Sequence, residues 1–72
     1  MQRELVESST LASVGYDETL SLLELEFRSG DLYQYFGPPS RIHHELMTAD
    51  SKGRFFNQNI RDCFPYVRLR RV

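Results

Sequence analysis

The residues best suited to chemistry in this chain stand in one short run, Ser51-Lys52-Gly53-Arg54. Ser51 is a good N-cap for the helix that Phe56, Ile60 and Cys63 predict at i, i+4, i+7. A helix start exposes unpaired N–H groups and a partial positive charge, so acidic residues ordinarily gather there. Here the first turn carries Lys52 and Arg54, with Asp50 as the nearby acid. Gly53 adds a helix-stability penalty of about 1 kcal/mol relative to alanine. A bound phosphate or carboxylate would answer both departures. It would meet the free N–H groups and two cations, and the bare Gly53 would let it come close. The competing account is structural: Lys52 and Arg54 are solvated, and Gly53 lets the helix pack against a sheet.

Further along, Arg54, Gln58 and Arg61 share one helical face with Asn57 beside them, opposite Phe56 and Ile60. Planar guanidiniums suit phosphate recognition, although a solvated helix face reads the same way. Arg68, Arg70 and Arg71 would extend such a patch. The other reactive residue types offer less. His43 and His44 are adjacent, hence about 100° apart on a helix, where a shared metal wants i, i+4 spacing. Cys63 has no partner for nucleophilic catalysis and reads as a small buried apolar residue. No Ser/His/Asp set, paired carboxylates or Gly-rich phosphate loop is present. The reading is therefore no catalytic residue, no metal site and no cofactor.

Size supports that. Seventy-two residues make one domain, and a chain this short buries only about 60% of its unfolded surface. Little material is left for a deep cleft. A single cysteine excludes an internal disulfide, which fits a reducing, cytoplasmic setting. No apolar run approaches the roughly 20 residues of a membrane span, and the start Met1-Gln2-Arg3-Glu4 has no signal-peptide character. Charge is uneven. Residues 1–36 hold two basic and seven acidic side chains (−5), and residues 37–72 hold seven basic and three acidic (+4). The near-zero total argues against a general polyanion binder but permits a local basic surface.

The elements that must position these residues follow from periodicity. Residues 1–8 are expected to be flexible, with a single domain over 9–72. Ser9 to Tyr16 reads as a strand with Ala12, Val14 and Tyr16 on one face. Leu20 to Phe27 is a clear strand, where Leu23, Leu25 and Phe27 alternate with Glu24 and Glu26. Leu32 to Phe36 is a third, ended by Gly37-Pro38-Pro39. A helix follows, with Ser40 as N-cap and Ile42, Leu46 and Ala49 on one face. The second helix opens at Ser51 and ends before Pro65. Tyr66 to Val72 alternates as a fourth, edge strand with an arginine face. The fold class is α+β: a three- to four-stranded antiparallel sheet in the order β-β-β-α-α-β, with two short helices packed on one face.

One register decides where the aromatics go. A two-residue loop at Ser29-Gly30 pairs Phe27 with Leu32 and puts Tyr33 and Tyr35 on the open face beside Glu24 and Glu26, as a stacking platform for bases. A three-residue loop with Gly30 in a bulge pairs Phe27 with Asp31 and puts both tyrosines in the core. The base rate for aromatics beside a Leu/Phe stripe favours the second.

Three fragments resemble a known family: Ser13-Val14-Gly15-Tyr16-Asp17, Tyr33-Gln34-Tyr35, and Ser51-Lys52-Gly53-Arg54-Phe55-Phe56-Asn57 with Ile60-Arg61. The chain is similar over Ser9 to Leu69 to the KTSC domain, a module found at the C-terminus of some lysyl-tRNA synthetases and as small bacterial proteins. It departs at Pro38, where an apolar branched residue is expected. The resemblance implies a non-catalytic module associated with RNA of the tRNA kind, and no known reaction. The site residues expected for RNA or another anion are Ser51, Lys52, Gly53, Arg54, Asn57, Gln58 and Arg61, with Tyr33 and Tyr35 for stacking. The reading from another class is a protein-docking or homodimerisation module, which the opposed charges of the two halves and an edge strand would serve.

Overall fold

The structure, a computed structural model, describes residues 1–71. Five strands and two helices follow in chain order: β1 (Arg3–Leu5), β2 (Leu11–Asp17), β3 (Leu22–Phe27), β4 (Leu32–Phe36), α1 (Ser40–Thr48), α2 (Lys52–Asn59) and β5 (Tyr66–Arg70). The strands form one antiparallel sheet in the order β1-β2-β3-β4-β5. The expected α+β architecture is therefore present with one strand more than anticipated. Residues 1–8, expected to be flexible, supply that strand, and Arg3, Glu4 and Leu5 pair with Gly15, Val14 and Ser13. None of the helices among the described residues is long and apolar enough to cross a membrane.

The β3–β4 hairpin takes the three-residue loop. Gly30 adopts φ 98°, a left-handed value that suits glycine. The Phe27 N–H donates to the Asp31 carbonyl at 2.9 Å, and the Gly30 N–H to the Phe27 carbonyl at 2.8 Å. Leu25 then faces Tyr33, and Leu23 faces Tyr35. Both tyrosines join the Leu/Phe stripe on the helix side of the sheet, as the favoured three-residue loop requires, and the alternative open-face platform is not formed. The opposite face carries a polar ladder. Glu24 accepts from Arg3 at 2.8 Å and from Gln34 at 2.9 Å, while Glu26 accepts from Ser13 at 2.8 Å and from Arg70 at 2.9 Å.

The core joins Leu11 and Val14 of β2, Leu23 and Leu25 of β3, Tyr35 of β4, Ile42 and Leu46 of α1, and Phe56 of α2 with Ile60 at its end. Leu11 is fully buried where the alternation pointed to Ala12. The cause is a bulge between Leu11 and Ser13, which shifts the inward phase by one residue. At the strand-to-helix corner, Pro39 rather than Ser40 occupies the N-cap of α1, without a side-chain cap. Pro38, the departure noted above, is fully buried, and its carbonyl accepts the Tyr16 hydroxyl at 2.7 Å. The second helix ends at Asn59, so Cys63 lies beyond it. The cysteine is exposed, a correction to its expected core position. Phe64 packs against the core instead.

Gly53 has a clear structural cause. A side chain there would collide with the Thr10 hydroxyl and would stand 3.0 Å from Thr10 Cβ. Gly53→Ala should gain about 1 kcal/mol in helix propensity but lose about 1–3 kcal/mol to overpacking. A lowered urea midpoint is expected, regained when Thr10→Ala is added. A single variant as stable as the parent would show that close packing does not explain the glycine.

Candidate nucleic-acid interface

The start of α2 is held by its own side chains. The Ser51 hydroxyl accepts from the Arg54 N–H at 3.2 Å, meeting one of the free donors. Lys52 Nζ donates to the Ala49 carbonyl at 3.4 Å, at the C-terminal end of α1. That contact turns the ammonium toward a helix terminus that attracts cations. Of the four residues in this run, Gly53 is turned to Thr10 and Arg54 is exposed. Asn57 and Gln58 are exposed further along the helix.

Arg61 behaves differently from the expected helical stripe. The helix stops at Ile60, whose φ of −123° leaves the α region. The N–H groups of Ile60 and Arg61 both point to the Phe56 carbonyl, at 3.0 Å each. The chain swings, and Arg61 with Asp62 enters the wall of a groove of about 370 Å³. Much of its lining is aromatic: Phe27, Tyr33, Tyr35, Phe56 and Tyr66. Ser29 and Asp31 of the hairpin line it as well. Tyr66 lies 5.5 Å from Tyr33 and 5.4 Å from Tyr35, ring centre to ring centre, and Tyr33 and Tyr35 stack at 6.1 Å. Phe56 meets Tyr35 edge-on at 5.7 Å. Tyr35 is buried, Tyr33 half-buried and Tyr66 exposed, so the cluster grades from core to solvent. The two tyrosines expected to stack thus stand with Arg61, and the Ser51–Gly53 run lies at the far end of a helix about 12 Å long.

Sequence reasoning missed Phe27, Phe56, Tyr66 and Asp62 as neighbours in one groove. Tyr66 could have been found: pairing the last strand to Leu32–Phe36 places it opposite Tyr35. The arginine face of that strand is corrected. A register shift between Leu32 and Tyr33 sets Arg68 opposite Tyr33 and Arg70 opposite Leu32, on opposite faces. Among the described residues, ion pairs engage Arg3, Arg41 and Arg70 but not Arg54, Arg61, Arg68 or Arg71. The histidines diverge as expected. His43 stacks on Tyr16 at 4.8 Å, and burial pushes its imidazole below the usual range, while His44 is exposed. No group of three or more metal-ligating side chains is assembled among the described residues.

A small α+β domain with an aromatic groove that Arg61 lines and Arg68 adjoins is thus defined, and a solved relative shares its fold. Residues 7–64 match the KTSC domain, and the chain belongs to that family. It is 48% identical over 58 residues to an uncharacterized protein of Stutzerimonas stutzeri, covering 81% of this chain and 82% of that one. It is 40% identical over 63 residues to a lysine–tRNA ligase of a Nostoc species, where it covers 88% of this chain but only 11% of the ligase. The crystal structure of a KTSC domain protein from Yersinia pestis superposes with a TM-score of 0.93 at 43% identity, covering 96% of this chain and 97% of that one.

Within the groove the Tyr35 phenol is pushed up to about 12, first by burial and then by Tyr33 and Tyr66, against a pull from Arg61. A raised folded-state value means that its contribution to stability is complete below the ordinary phenol value of 10.0 and is lost as pH rises to about 12. An ultraviolet titration should show one tyrosine ionising late. Tyr35→Phe should remove that phase and flatten the alkaline fall in urea midpoint, and an unchanged titration would refute the assignment.

Proposed function

We propose that this domain is a non-catalytic RNA-binding module of the cytoplasm that holds unpaired nucleotides of tRNA-like RNA. The observation that carries the reading is the position of Arg61, which joins the exposed polar face of α2 to a groove walled by Tyr33, Tyr35 and Tyr66. Sequence-tolerant binding of single strands combines a cationic track for the backbone with aromatic rings for the bases. Arg54 and Gln58 supply the track on α2, Arg61 stands where it meets the rings, and Arg68 adjoins Tyr33 from β5. The polar ladder favours this side of the sheet over the other, because Glu24 and Glu26 face away from the tyrosines. The occurrence of related sequence within lysine–tRNA ligases supports an RNA partner. Ser51, Lys52 and Gly53 serve mainly to build the helix start, and Arg54, Asn57, Gln58 and Arg61 make the contacts.

Titration of isotope-labelled protein with bulk tRNA and with a short single-stranded RNA, followed by NMR at low and physiological salt, tests this. Shifts should concentrate on Arg54, Gln58, Arg61, Tyr33 and Tyr66 and persist at physiological salt. Arg61→Ala should weaken binding and reduce the salt slope by about 0.7, the value for one phosphate on a single strand. No shift at low salt would discard the RNA reading, and self-association seen by sedimentation in its place would favour a docking module.

A further inference from the structure

The groove holds two carboxylates, Asp31 of the hairpin and Asp62, that phosphate binding alone does not explain. Asp62 follows Arg61 directly, and both residues line the groove together with the tyrosines. A volume of about 370 Å³ is at the small end for a ligand pocket and suits one planar base rather than a peptide segment. A carboxylate beside a stacking surface accepts hydrogen bonds from exocyclic amino groups and repels carbonyl oxygens. Cytosine presents its N4 amino group where uracil presents O4, and carboxylates pair with the former. Resting on the RNA reading above, we infer that this groove selects an unpaired base by its amino edge, with Asp62 accepting from the amino group, Tyr66 and Tyr33 stacking the ring, and Arg61 facing the adjoining phosphate.

Each part of the arrangement has a counterpart in the geometry. Tyr66 is 54% exposed, so its ring has a face available to a ligand. Tyr33 lies 5.5 Å from it and tilted by 48°, which makes a wedge rather than a closed stack. Phe27 and Phe56 form an apolar back wall, meeting edge-on at 5.2 Å. The neighbouring charges divide the ligand in two: Arg61 and Arg68 suit its phosphates, and the carboxylates suit a hydrogen-bond donor, with Asp62 beside Arg61 and Asp31 on the hairpin.

The test compares short homo-oligomers of cytidine and uridine, which match in ring size and charge, by titrating the intrinsic tyrosine fluorescence. The cytidine oligomer should bind about 5- to 10-fold more tightly, the scale of one discriminating base contact. Asp62→Asn should collapse that ratio toward one while retaining uridine binding, because the exposed position tolerates the amide without loss of fold. Tyr66→Ala should weaken both oligomers alike. Equal affinity of the parent protein for both would overturn the selectivity and leave the RNA reading standing. Failure of both oligomers and of tRNA would overturn the two together. Capture of a methylated lysine analogue in the groove, with neither oligomer bound, would reassign the aromatic wall to an organic cation and overturn the inference.

Discussion

The register of the β3–β4 hairpin is the constraint on which the rest of this structure depends. Side chains alternate strictly across a strand, so one residue of slip exchanges the two faces of the sheet. With Gly30 in its left-handed bulge, Tyr33 and Tyr35 join Leu23 and Leu25 beneath the helices, and Gln34 joins Glu24 on the other side. The alternative loop would bring the tyrosines beside two carboxylates and leave Gln34 among the leucines. Burying an amide there without a partner is costly, whereas Gln34 as placed donates to Glu24. The polar and apolar faces of the sheet are therefore consequences of one turn.

The same turn sets which charges meet. Glu24 and Glu26 in the central strand collect Arg3 from one edge and Arg70 from the other, and the Arg70 pair joins the acidic first half of the chain to the basic second half. The Glu26 carboxyl is held below the usual range first by the Ser13 hydroxyl and then by Arg70. Arg70 also donates to the Gly30 carbonyl, tying the last strand to the hairpin loop itself. Of the arginines the ladder does not use, Arg28 donates to the Val6 and Ser8 carbonyls and Arg41 pairs with Glu45 on α1, while Arg54 and Arg61 lie on or just beyond α2 and Arg68 on the helix side of β5.

Much of this was legible in the residues, and what was not has local causes. The alternation in Leu22–Phe27, the breaks at Gly37-Pro38-Pro39 and Pro65, and the Ser51 cap all carry strong short-range signals, and the elements fall there. The bulge at Ala12 and the one near Leu69 carry none, because a bulge is a property of a strand pair and not of one strand. β1 escaped notice because three exposed residues have no apolar alternation to reveal them. The site was half visible. Arg61 was singled out for a helical stripe that the chain does not continue past Ile60. Tyr33 and Tyr35 occupy the core side that the base rate for aromatics favours, although the turn residues alone leave both faces open. Their meeting is a tertiary fact, set by where α2 ends relative to β4.

That ending also explains why a domain of this size has a groove at all. The buried core draws on β2, β3, β4 and both helices, while every residue of β5 is exposed. Helices of nine and eight residues reach only about 12–14 Å. They cover the middle of the sheet and stop short of its last strand. Tyr66 consequently extends the aromatic layer of the core past the edge of its helical cover, and Tyr33 and Tyr35 form a continuous path from solvent to interior. A longer α2 would have buried this surface and carried Arg61 away on a helical face. The short helix, broken at Ile60, instead brings Arg61 and Asp62 into the lining of the same groove as the tyrosines, so that an edge of the core acquires opposite charges.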